Sequence, residues 1–415
     1  MTVSDCSERE LVARIQQHLP SPPSWILVGI GDDAAIVEPE RNRVEVLTVD
    51  AIVEGVHFDR TFVPPEAIGH RALAVNLSDL AAMGATPRLA LLSMALPPAL
   101  LLDDFDAIIA GFTTLAAAHR LHVVGGNLTK SPAPLMIDVT LVGTVKRRQG
   151  LTRSGARPGD ELYVSGTIGA AAAGLGLLRE VVSHQSSVVS QQSSVVSQQS
   201  SVVSQQSSVV SQQSSVVSHQ SSVVSQQSSV VSHQSSVVSH QSSGTSLGPQ
   251  STDDLRLRLM TDDSRLTTDD WRLMTAYLTP EPRIRLGLLL GRNRAASACV
   301  DLSDGLADGV RRIAEASGVG VMLEADTLPI EPAARALFER MGLDPIEAAI
   351  AGGDDYELLV ACGPRKRSRL AAASRHAGAS LTRIGRCTEE RIVAIRRQGA
   401  GGAVTALPDG YTHFR

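Results

Sequence analysis

A repetitive tract divides the chain and sets the first limit on its fold. From Val181 to about Ser243, a seven-residue unit, SSVVSQQ or SSVVSHQ, recurs without interruption. A period of seven suggests a coiled coil, but the two valines of each unit are adjacent. A coiled-coil seam instead needs apolar residues alternately three and four positions apart. Because the tract has too little apolar surface to offset the entropy of ordering, we predict that it is disordered.

A second, different repeat follows directly. Thr-Asp-Asp begins three short segments, at residues 252, 261 and 268, and each segment ends in Arg-Leu. Two unrelated repeats in succession indicate an expanded insertion, which we place at residues 181–274. The histidines of the first repeat stand where other copies have Gln, so we interpret them as sequence variants and not as metal ligands; they are His184, His219, His233 and His240.

Composition places the chain among ordinary globular proteins, with 43% hydrophobic and 20% charged residues. The net charge of −5 disfavours a nucleic-acid partner, since such proteins normally present a basic face. The four cysteines lack CxxC spacing, so we expect neither a zinc site nor disulfides. The start of the chain does not resemble a signal peptide, and the longest apolar stretch, Leu89–Leu102, is too short for a bilayer. We therefore predict a cytoplasmic protein without a membrane partner.

Strands and helices alternate outside the insertion. This pattern predicts an α/β fold of two domains, residues 1–150 and 151–415, with the insertion inside the second. Predicted strands are Val44–Val49, Arg88–Leu96, His122–Val124, Leu135–Val145, Pro158–Val164 (a turn leading into a strand), Ala298–Leu302, Val319–Leu323 and Tyr356–Ala361. Predicted helices are Glu66–Met83, Phe105–His119, Ile168–Arg179, Arg283–Leu290, Leu306–Ala316, Pro332–Met341 and Lys366–His376.

Acidic residues at the ends of these elements carry the chemistry. Taken singly, most clusters could be turns or helix caps. Asp79 is harder to explain, because an unpaired carboxylate inside an apolar helix is costly. Together their oxygen ligands suit Mg²⁺ bound with substrate phosphates. The clusters lie in Gly31–Asp33, Thr48–Asp50, Asn76–Asp79, Asp301–Gly305 and Gly352–Asp355.

The usual nucleotide-binding motifs are absent from the sequence. There is no GxxxxGK followed by Ser or Thr, no dinucleotide fingerprint and no protein-kinase motif set. If ATP binds, it must therefore bind through metal ions and an unconventional loop.

Seven segments, in the same order along the chain, resemble thiamine-monophosphate kinase. The resemblance implies the two-domain fold shared with aminoimidazole ribonucleotide synthetase and a homodimer with ATP near the subunit interface. It also implies that several Mg²⁺ ions assist transfer of the ATP γ-phosphoryl group to thiamine monophosphate, giving thiamine diphosphate and ADP. The segments are Gly29–Ala35, Val53–Phe58, Ala74–Gly84, Leu151–Ala156, Asp301–Leu306, Gly353–Leu358 and Gly410–Phe414.

The resemblance also assigns roles to individual residues, and none of them acts as a general base. A phosphate acceptor is already ionised near neutral pH and needs none. The implied metal ligands are Asp33, Thr48, Val49 (through its backbone), Asp50, Asp79, Asn127, Asp301 and Asp304. The implied ATP contacts are Gly126, Arg153 and Ser303, and the implied thiamine-monophosphate contacts are His57, Asp354 and Tyr411.

The chain departs from the family pattern at two positions. Asn127 stands where the family has Asp, which keeps an oxygen ligand but removes one charge, and Asp354 replaces a Glu. Two kinds of alternative stay open. One is another ATP-using enzyme of the same fold, such as an aminoimidazole ribonucleotide or selenophosphate synthetase. The other is a non-catalytic protein in which the repeat is an interaction module.

Overall fold

Two β-sheets with helices packed against them form the fold in the computed structural model, which describes residues 1–181, 266–397 and 403–410. Residues 1–178 and the described residues from 266 onward belong to one compact unit. The disorder predicted for the repeat falls on residues outside the described ones. No helix in the described part of the chain is long and apolar enough to cross a membrane. The four cysteines are all free.

The N-terminal sheet contains four strands in the order β3-β6-β4-β5. Its pairs are antiparallel except β4 with β5. The elements of this part are α1 (Glu8–Gln17), β1 (Ile26–Val28), β2 (Ile36–Val37), β3 (Arg43–Val53), α2 (Pro65–Ala82), β4 (Thr86–Leu96), α3 (Leu102–Ala118), β5 (His122–Lys130) and β6 (Met136–Lys146).

The C-terminal sheet contains seven strands in the order β13-β12-β9-β11-β7-β10-β8. The elements of this part are β7 (Glu161–Ser165), α4 (residues 170–181), α5 (Thr268–Leu278), α6 (Ile284–Asn293), β8 (Ala298–Asp301), α7 (Leu306–Ser317), β9 (Gly320–Glu324), α8 (Pro332–Arg340), α9 (Pro345–Ala351), β10 (Leu358–Cys362), α10 (Arg367–Ala377), β11 (Leu381–Thr388), β12 (Val393–Arg396) and β13 (Val404–Ala406).

Helix α2 is buried along nearly its whole length and contacts both parts of the molecule. Two glycines allow it to approach its neighbours at backbone distance. A Cβ at Gly69 would lie 1.8 Å from the carbonyl oxygen of Ile108 on α3, and a Cβ at Gly287 on α6 would lie 1.9 Å from that of Ala81. Larger side chains cannot fit at these crossings, so α2 is held against α3 on one side and α6 on the other.

The predicted α/β alternation is confirmed, and the predicted strands and helices each overlap an observed one. One boundary of the predicted insertion is wrong. Residues 268–274 belong to α5, where Leu273 and Met274 are buried. A Cβ at Gly174 on α4 would lie 2.0 Å from the carbonyl oxygen of Leu273, so α5 packs tightly on α4. This packing, which the short Thr-Asp-Asp repeat does not reveal, makes the segment part of the core.

We predict that residues 182–265 can be replaced without loss of the fold, whereas 268–274 cannot. Since α4 and α5 touch near Gly174, a linker of about ten residues, with a reach of about 33 Å, joins their ends. Replacing 182–265 should leave the melting temperature within about 3 °C of the parent. Replacing 182–274 should lower it by about 10 °C or more, because Leu273 and Met274 are lost from the core. Thermal unfolding followed by circular dichroism measures both, and equal melting temperatures would contradict the assignment of α5 to the core.

Candidate active site

Four aspartates from both parts of the molecule form an acid cluster: Asp50, Asp79, Asp301 and Asp304. Asp50 lies on β3 and Asp79 on α2, and the Thr48 hydroxyl donates a hydrogen bond to Asp79. The C-terminal sheet supplies Asp301, the last residue of β8, which accepts a hydrogen bond from Ser78 at 2.9 Å. Helix α2 therefore joins the acids of the two sheets.

The crowding of negative charge changes the ionisation of the acid cluster. Loss of solvent around the carboxylate, with repulsion from Asp79 and then from the other two acids, raises the pKa of Asp50 to about 7. Burial and repulsion from Asp79 raise the pKa of Asp301 to about 6, against the lowering effect of hydrogen bonds from Ser78 and Ser303. Carboxylates crowded in this way favour a bound cation, which would remove the repulsion.

The donor set of the acid cluster fits Mg²⁺ when substrate oxygens and water complete the coordination. Among the described residues, no three His, Cys, Asp or Glu side chains converge into a metal site on their own. The side-chain oxygen of Asn76 is buried without a hydrogen-bond partner, and its amide nitrogen donates to the Asp50 carbonyl at 3.5 Å. Carboxylate, hydroxyl and amide oxygens at this point are the hard ligands that Mg²⁺ prefers.

The loop between β8 and α7 carries the remaining polar groups near the acid cluster. Asp304 accepts a hydrogen bond from Arg312 on α7 at 2.5 Å, which holds its carboxylate against the helix. The exposed Arg153 lies close enough to Asp301 to lower its pKa. Gly305 has a φ of +90°, and a Cβ there would lie 2.5 Å from the carbonyl oxygen of Gly352. Only glycine fits this turn, which packs the loop against residues 352–354.

A second group of polar residues, the Arg71 network, adjoins the acid cluster. Arg71 on α2 is only 2% exposed, and its guanidinium donates to Asp354 at 3.1 Å and to the Tyr277 carbonyl. It also lies 4.1 Å over the Tyr277 ring, whose hydroxyl donates to the His57 carbonyl at 3.1 Å. Tyr356 donates to Asp354 at 2.7 Å. The network thus connects His57 and Asp354, the two described residues predicted to contact thiamine monophosphate.

The Arg71 network is joined to the acid cluster through backbone and helix. The Asp354 amide donates to the Ser303 carbonyl at 2.7 Å, so the two loops are hydrogen-bonded to each other. Asp354 and Tyr356 have φ angles of +66° and +50°, which side-chain-bearing residues adopt rarely. Such backbone strain persists where neighbouring contacts fix the conformation, and it is common at functional sites.

Some predicted site residues are not brought to the acid cluster. Asp33 lies in an exposed loop, where its amide donates to the Asp32 side chain. Gly126 and Asn127 lie on β5, three strand spacings or about 14 Å from β3 across the sheet. Val49 precedes Asp50 on β3, and the backbone role predicted for it stays a prediction. Tyr411 lies outside the described residues.

Two acids of the Gly352–Asp355 segment have partners within the protein. Asp354 pairs with Arg71, as described above, whereas the adjacent Asp355 accepts hydrogen bonds from the amides of Gly169 and Ala171 at the start of α4. Burial raises the pKa of Asp355 to about 8, against the lowering effect of these amides. Asp355 therefore holds α4 in place, and its hydrogen bonds run to α4 and not to the acid cluster.

Arg71, Tyr277 and Tyr356 were not predicted from the sequence to belong to the site. Arg71 had a detectable signal, because an arginine between apolar residues of a buried helix must find a partner for its charge. No sequence feature marks Tyr277, which lies four residues after the last Thr-Asp-Asp segment.

Comparison with known proteins gives consistent results across the chain. Residues 31–145 match the family model for the N-terminal domain of AIR synthase related proteins, and residues 261–398 match that for the C-terminal domain. Thiamine-monophosphate kinase of Bacillus subtilis (strain 168) is 28% identical, over 94% of this chain and 95% of its own.

Two solved structures extend the likeness to the fold. Thiamine-monophosphate kinase from Stenotrophomonas maltophilia K279a is 32% identical, with a TM-score of 0.68 over 94% of this chain and 96% of its own. AaThiL complexed with AMPPCP and TMP is 27% identical, with a TM-score of 0.61 over 100% of this chain and 99% of its own. This chain therefore belongs to the thiamine-monophosphate kinase family of AIR synthase related proteins.

Proposed function

We propose that this protein phosphorylates thiamine monophosphate with ATP, giving thiamine diphosphate and ADP. The observation that carries the proposal is that the acid cluster and the Arg71 network share helix α2. Asp79 and Arg71 are eight residues apart, which corresponds to about 12 Å along the helix. A triphosphate at the acid cluster can therefore meet a phosphate monoester held beside Arg71. The relative solved with AMPPCP and TMP, which matches the chain over its full length, supports this interpretation.

The charges of the two substrates explain why the reaction would use the acid cluster. Donor and acceptor phosphates are both anionic and repel each other unless cations intervene. Mg²⁺ ions bound to the aspartates would screen this repulsion and align the attacking oxygen. The residues proposed to hold them in the cluster are Thr48, Asp50, Asp79, Asp301 and Asp304; Asp33, the Val49 backbone and Asn127 are proposed on the resemblance alone.

The protein's own side chains would bind and orient the substrates. Arg153 and Ser303, which both lower the pKa of Asp301, are proposed ATP contacts. Gly126 is a third proposed ATP contact, on the resemblance alone. Arg71 holds the Asp354 carboxylate, and Tyr277 fixes the backbone at His57, so these two proposed thiamine-monophosphate contacts are preorganised. Tyr411 is proposed as a third contact on the resemblance. No general base is required, because the attacking phosphate oxygen is already ionised.

We also propose that the protein is a homodimer joined through the open face of the N-terminal sheet. Register places Val49 opposite Thr140 and Thr140 opposite Leu91, so these residues share a face. Leu47, two residues before Val49, is 67% exposed, and Val49 and Leu91 are 58% and 41% exposed. An apolar sheet face of this kind is typical of a protein interface. Because the reaction consumes ATP, we place the enzyme in the cytoplasm.

The experiment that tests the function is release of ADP from Mg-ATP with and without an acceptor. We expect ADP release with thiamine monophosphate, and at least about a hundredfold less with thiamine or with no acceptor, because only the phosphorylated compound carries the attacking group. ADP release that depends on a different acceptor would indicate another enzyme of the same fold. No ADP release with any acceptor would indicate a non-catalytic protein.

Removal of one carboxylate from the acid cluster should abolish activity without harming the fold. Asp50→Asn should lower kcat by about two orders of magnitude or more, since each hard ligand supports the phosphoryl transfer. The raised pKa of Asp50 means that its charged form disfavours folding above pH 4, and increasingly so as the pH rises to about 7. The variant's melting temperature at pH 8, without Mg²⁺, should therefore equal or exceed the parent's. Glu45→Gln, an exposed change on the same strand, is the control. A destabilised Asp50→Asn variant would contradict this account.

Loss of the planar guanidinium at Arg71 should affect one substrate selectively. Arg71→Lys keeps the charge but cannot both stack on Tyr277 and donate to Asp354 and the Tyr277 carbonyl. We expect KM for thiamine monophosphate to rise about tenfold or more, with KM for ATP within about twofold. Arg88→Lys is the matched control. The Arg88 guanidinium stacks on Trp25, 4.2 Å from the ring centre, and neither residue belongs to the acid cluster or the Arg71 network. Equal increases in both KM values would contradict a role in the thiamine-monophosphate site.

A charge on the open sheet face should separate the proposed dimer. Leu47→Glu should convert the protein to a monomer by light scattering after size exclusion, because a carboxylate would be buried in the interface. Ile392→Glu, at a 58% exposed position near β12, should leave the dimer intact. A parent protein that is monomeric at micromolar concentration would contradict the proposal.

A further inference from the structure

A cleft far from the acid cluster carries a concentration of positive charge. It has a volume of about 1200 Å³ and lies between the end of the N-terminal sheet and helices α6 and α10. Lys146, at the end of β6, lines it together with Arg285, Arg292 and Arg369. Arg43, which also lines the cleft, is the first residue of β3, whereas Asp50 is seven residues further on. Arg43 therefore lies about 23 Å from Asp50 along that strand.

The positive charges of the cleft are not neutralised by the protein. None of the lining residues is Asp or Glu. Arg43 is paired with Glu40 at 3.2 Å and donates to Thr86 and Thr144. Within the described residues, Lys146, Arg285, Arg292 and Arg369 form no ion pair with a carboxylate. Four unpaired cations around one concavity repel each other in a protein whose net charge is −5, and a bound anion would relieve that repulsion.

The spacing of the cations indicates an anion of more than one phosphate group. Arg285 and Arg292 are seven residues apart on α6, which places them on one face and about 10 Å from each other. Arg369 and His376 have the same spacing on α10. A diphosphate or triphosphate can contact Arg285 and Arg292 at once, and it carries more charge than a single phosphate to offset the repulsion between the cations. Arginine forks suit such oxygens because they donate two parallel hydrogen bonds.

The cleft also offers an apolar surface along the same two helices. Leu288 and Leu289, which are half-buried, lie between Arg285 and Arg292, and Ala372 lies between Arg369 and His376. Its volume of about 1200 Å³ leaves ample room for a small molecule, since such sites usually enclose about 300–1,000 Å³. We propose that the cleft binds a small molecule that carries two or more linked phosphates on an apolar body, at a site separate from the acid cluster. The nucleotide and the diphosphate product of the proposed reaction share this chemistry.

The test measures binding of defined probes by calorimetry in EDTA, so that metal-dependent binding at the acid cluster is suppressed. The probes are tripolyphosphate, ADP and thiamine diphosphate, which share linked phosphates and differ in the group attached to them. We expect at least one of the three to bind with a Kd below about 1 mM. AMP should bind about tenfold or more weakly than ADP, since it has one phosphate fewer and therefore fewer charged oxygens for the arginines. The double variant Arg285→Gln with Arg369→Gln should weaken binding about tenfold or more, because each charge-assisted hydrogen bond is lost.

Two control variants separate the cleft from other sites. Arg375→Gln changes an exposed arginine of α10 that does not line the cleft, and it should leave binding within about twofold. Asp301→Asn changes the acid cluster and should also leave binding of the probes to the cleft unchanged in EDTA. Failure of all three probes to bind at millimolar concentration would overturn the proposal, and so would an equal loss in Arg375→Gln. Because no readout is turnover, failure of the proposed kinase activity would leave this result intact, and the reverse also holds.

Discussion

The burial of α2 between the two parts of the molecule is the constraint on which the candidate site depends. A helix removed from water on most sides needs partners for the charged groups that it carries, since an unpaired buried charge is costly. Ser78 pairs with Asp301, and Arg71 pairs with Asp354 and the Tyr277 carbonyl. These partners all lie in the C-terminal part of the chain. The requirement for polar pairing therefore docks the two sheets in one arrangement and builds the site at the same time.

The acid cluster shows how function opposes stability at this junction. Carboxylates that raise each other's pKa are a cost to the folded protein without bound cations. The Arg71 network has the opposite character, because its charges are paired: the Arg71 guanidinium donates to Asp354, which also accepts from Tyr356. The tight helix crossings at Gly69 and Gly287 supply contacts that need no polar group. The fold thus tolerates an unfavourable cluster because its surroundings are rigid.

The sequence predicted the alternation of strands and helices well, because periodic apolar residues mark elements buried on one face. It predicted β5 only as far as Val124, although the strand continues to Lys130. Gly125 and Gly126 have low strand propensity, and pairing with β4 overrides it. Helix α5 was assigned to the insertion because its first turn repeats Thr-Asp-Asp, whereas its burial depends on Gly174, far away in sequence. Strand β11 and helix α9 were not predicted at all.

The candidate site was predicted in part. The acids inside β3, at the end of β8 and on α2 come together because these two strands and a buried helix meet there. Asp33, Gly126 and Asn127 do not join them within one chain, and no spacing rule distinguishes them from the others. Arg71 shows the opposite case, in which a residue outside every recognised motif connects two predicted contacts. Pairing across about two hundred residues of sequence is a tertiary property, and local pattern does not encode it.

The contact between α4 and α5 at Gly174 has a consequence for the history of this gene. Because α4 and α5 pack on each other at Gly174, the length of the sequence between them does not affect the rest of the fold. Each repeat unit corresponds to a whole number of codons, so copies gained or lost during replication keep everything downstream in frame. The helix pair therefore makes this point of the coding sequence permissive to slippage. We expect close relatives to differ here in copy number while their catalytic residues stay the same.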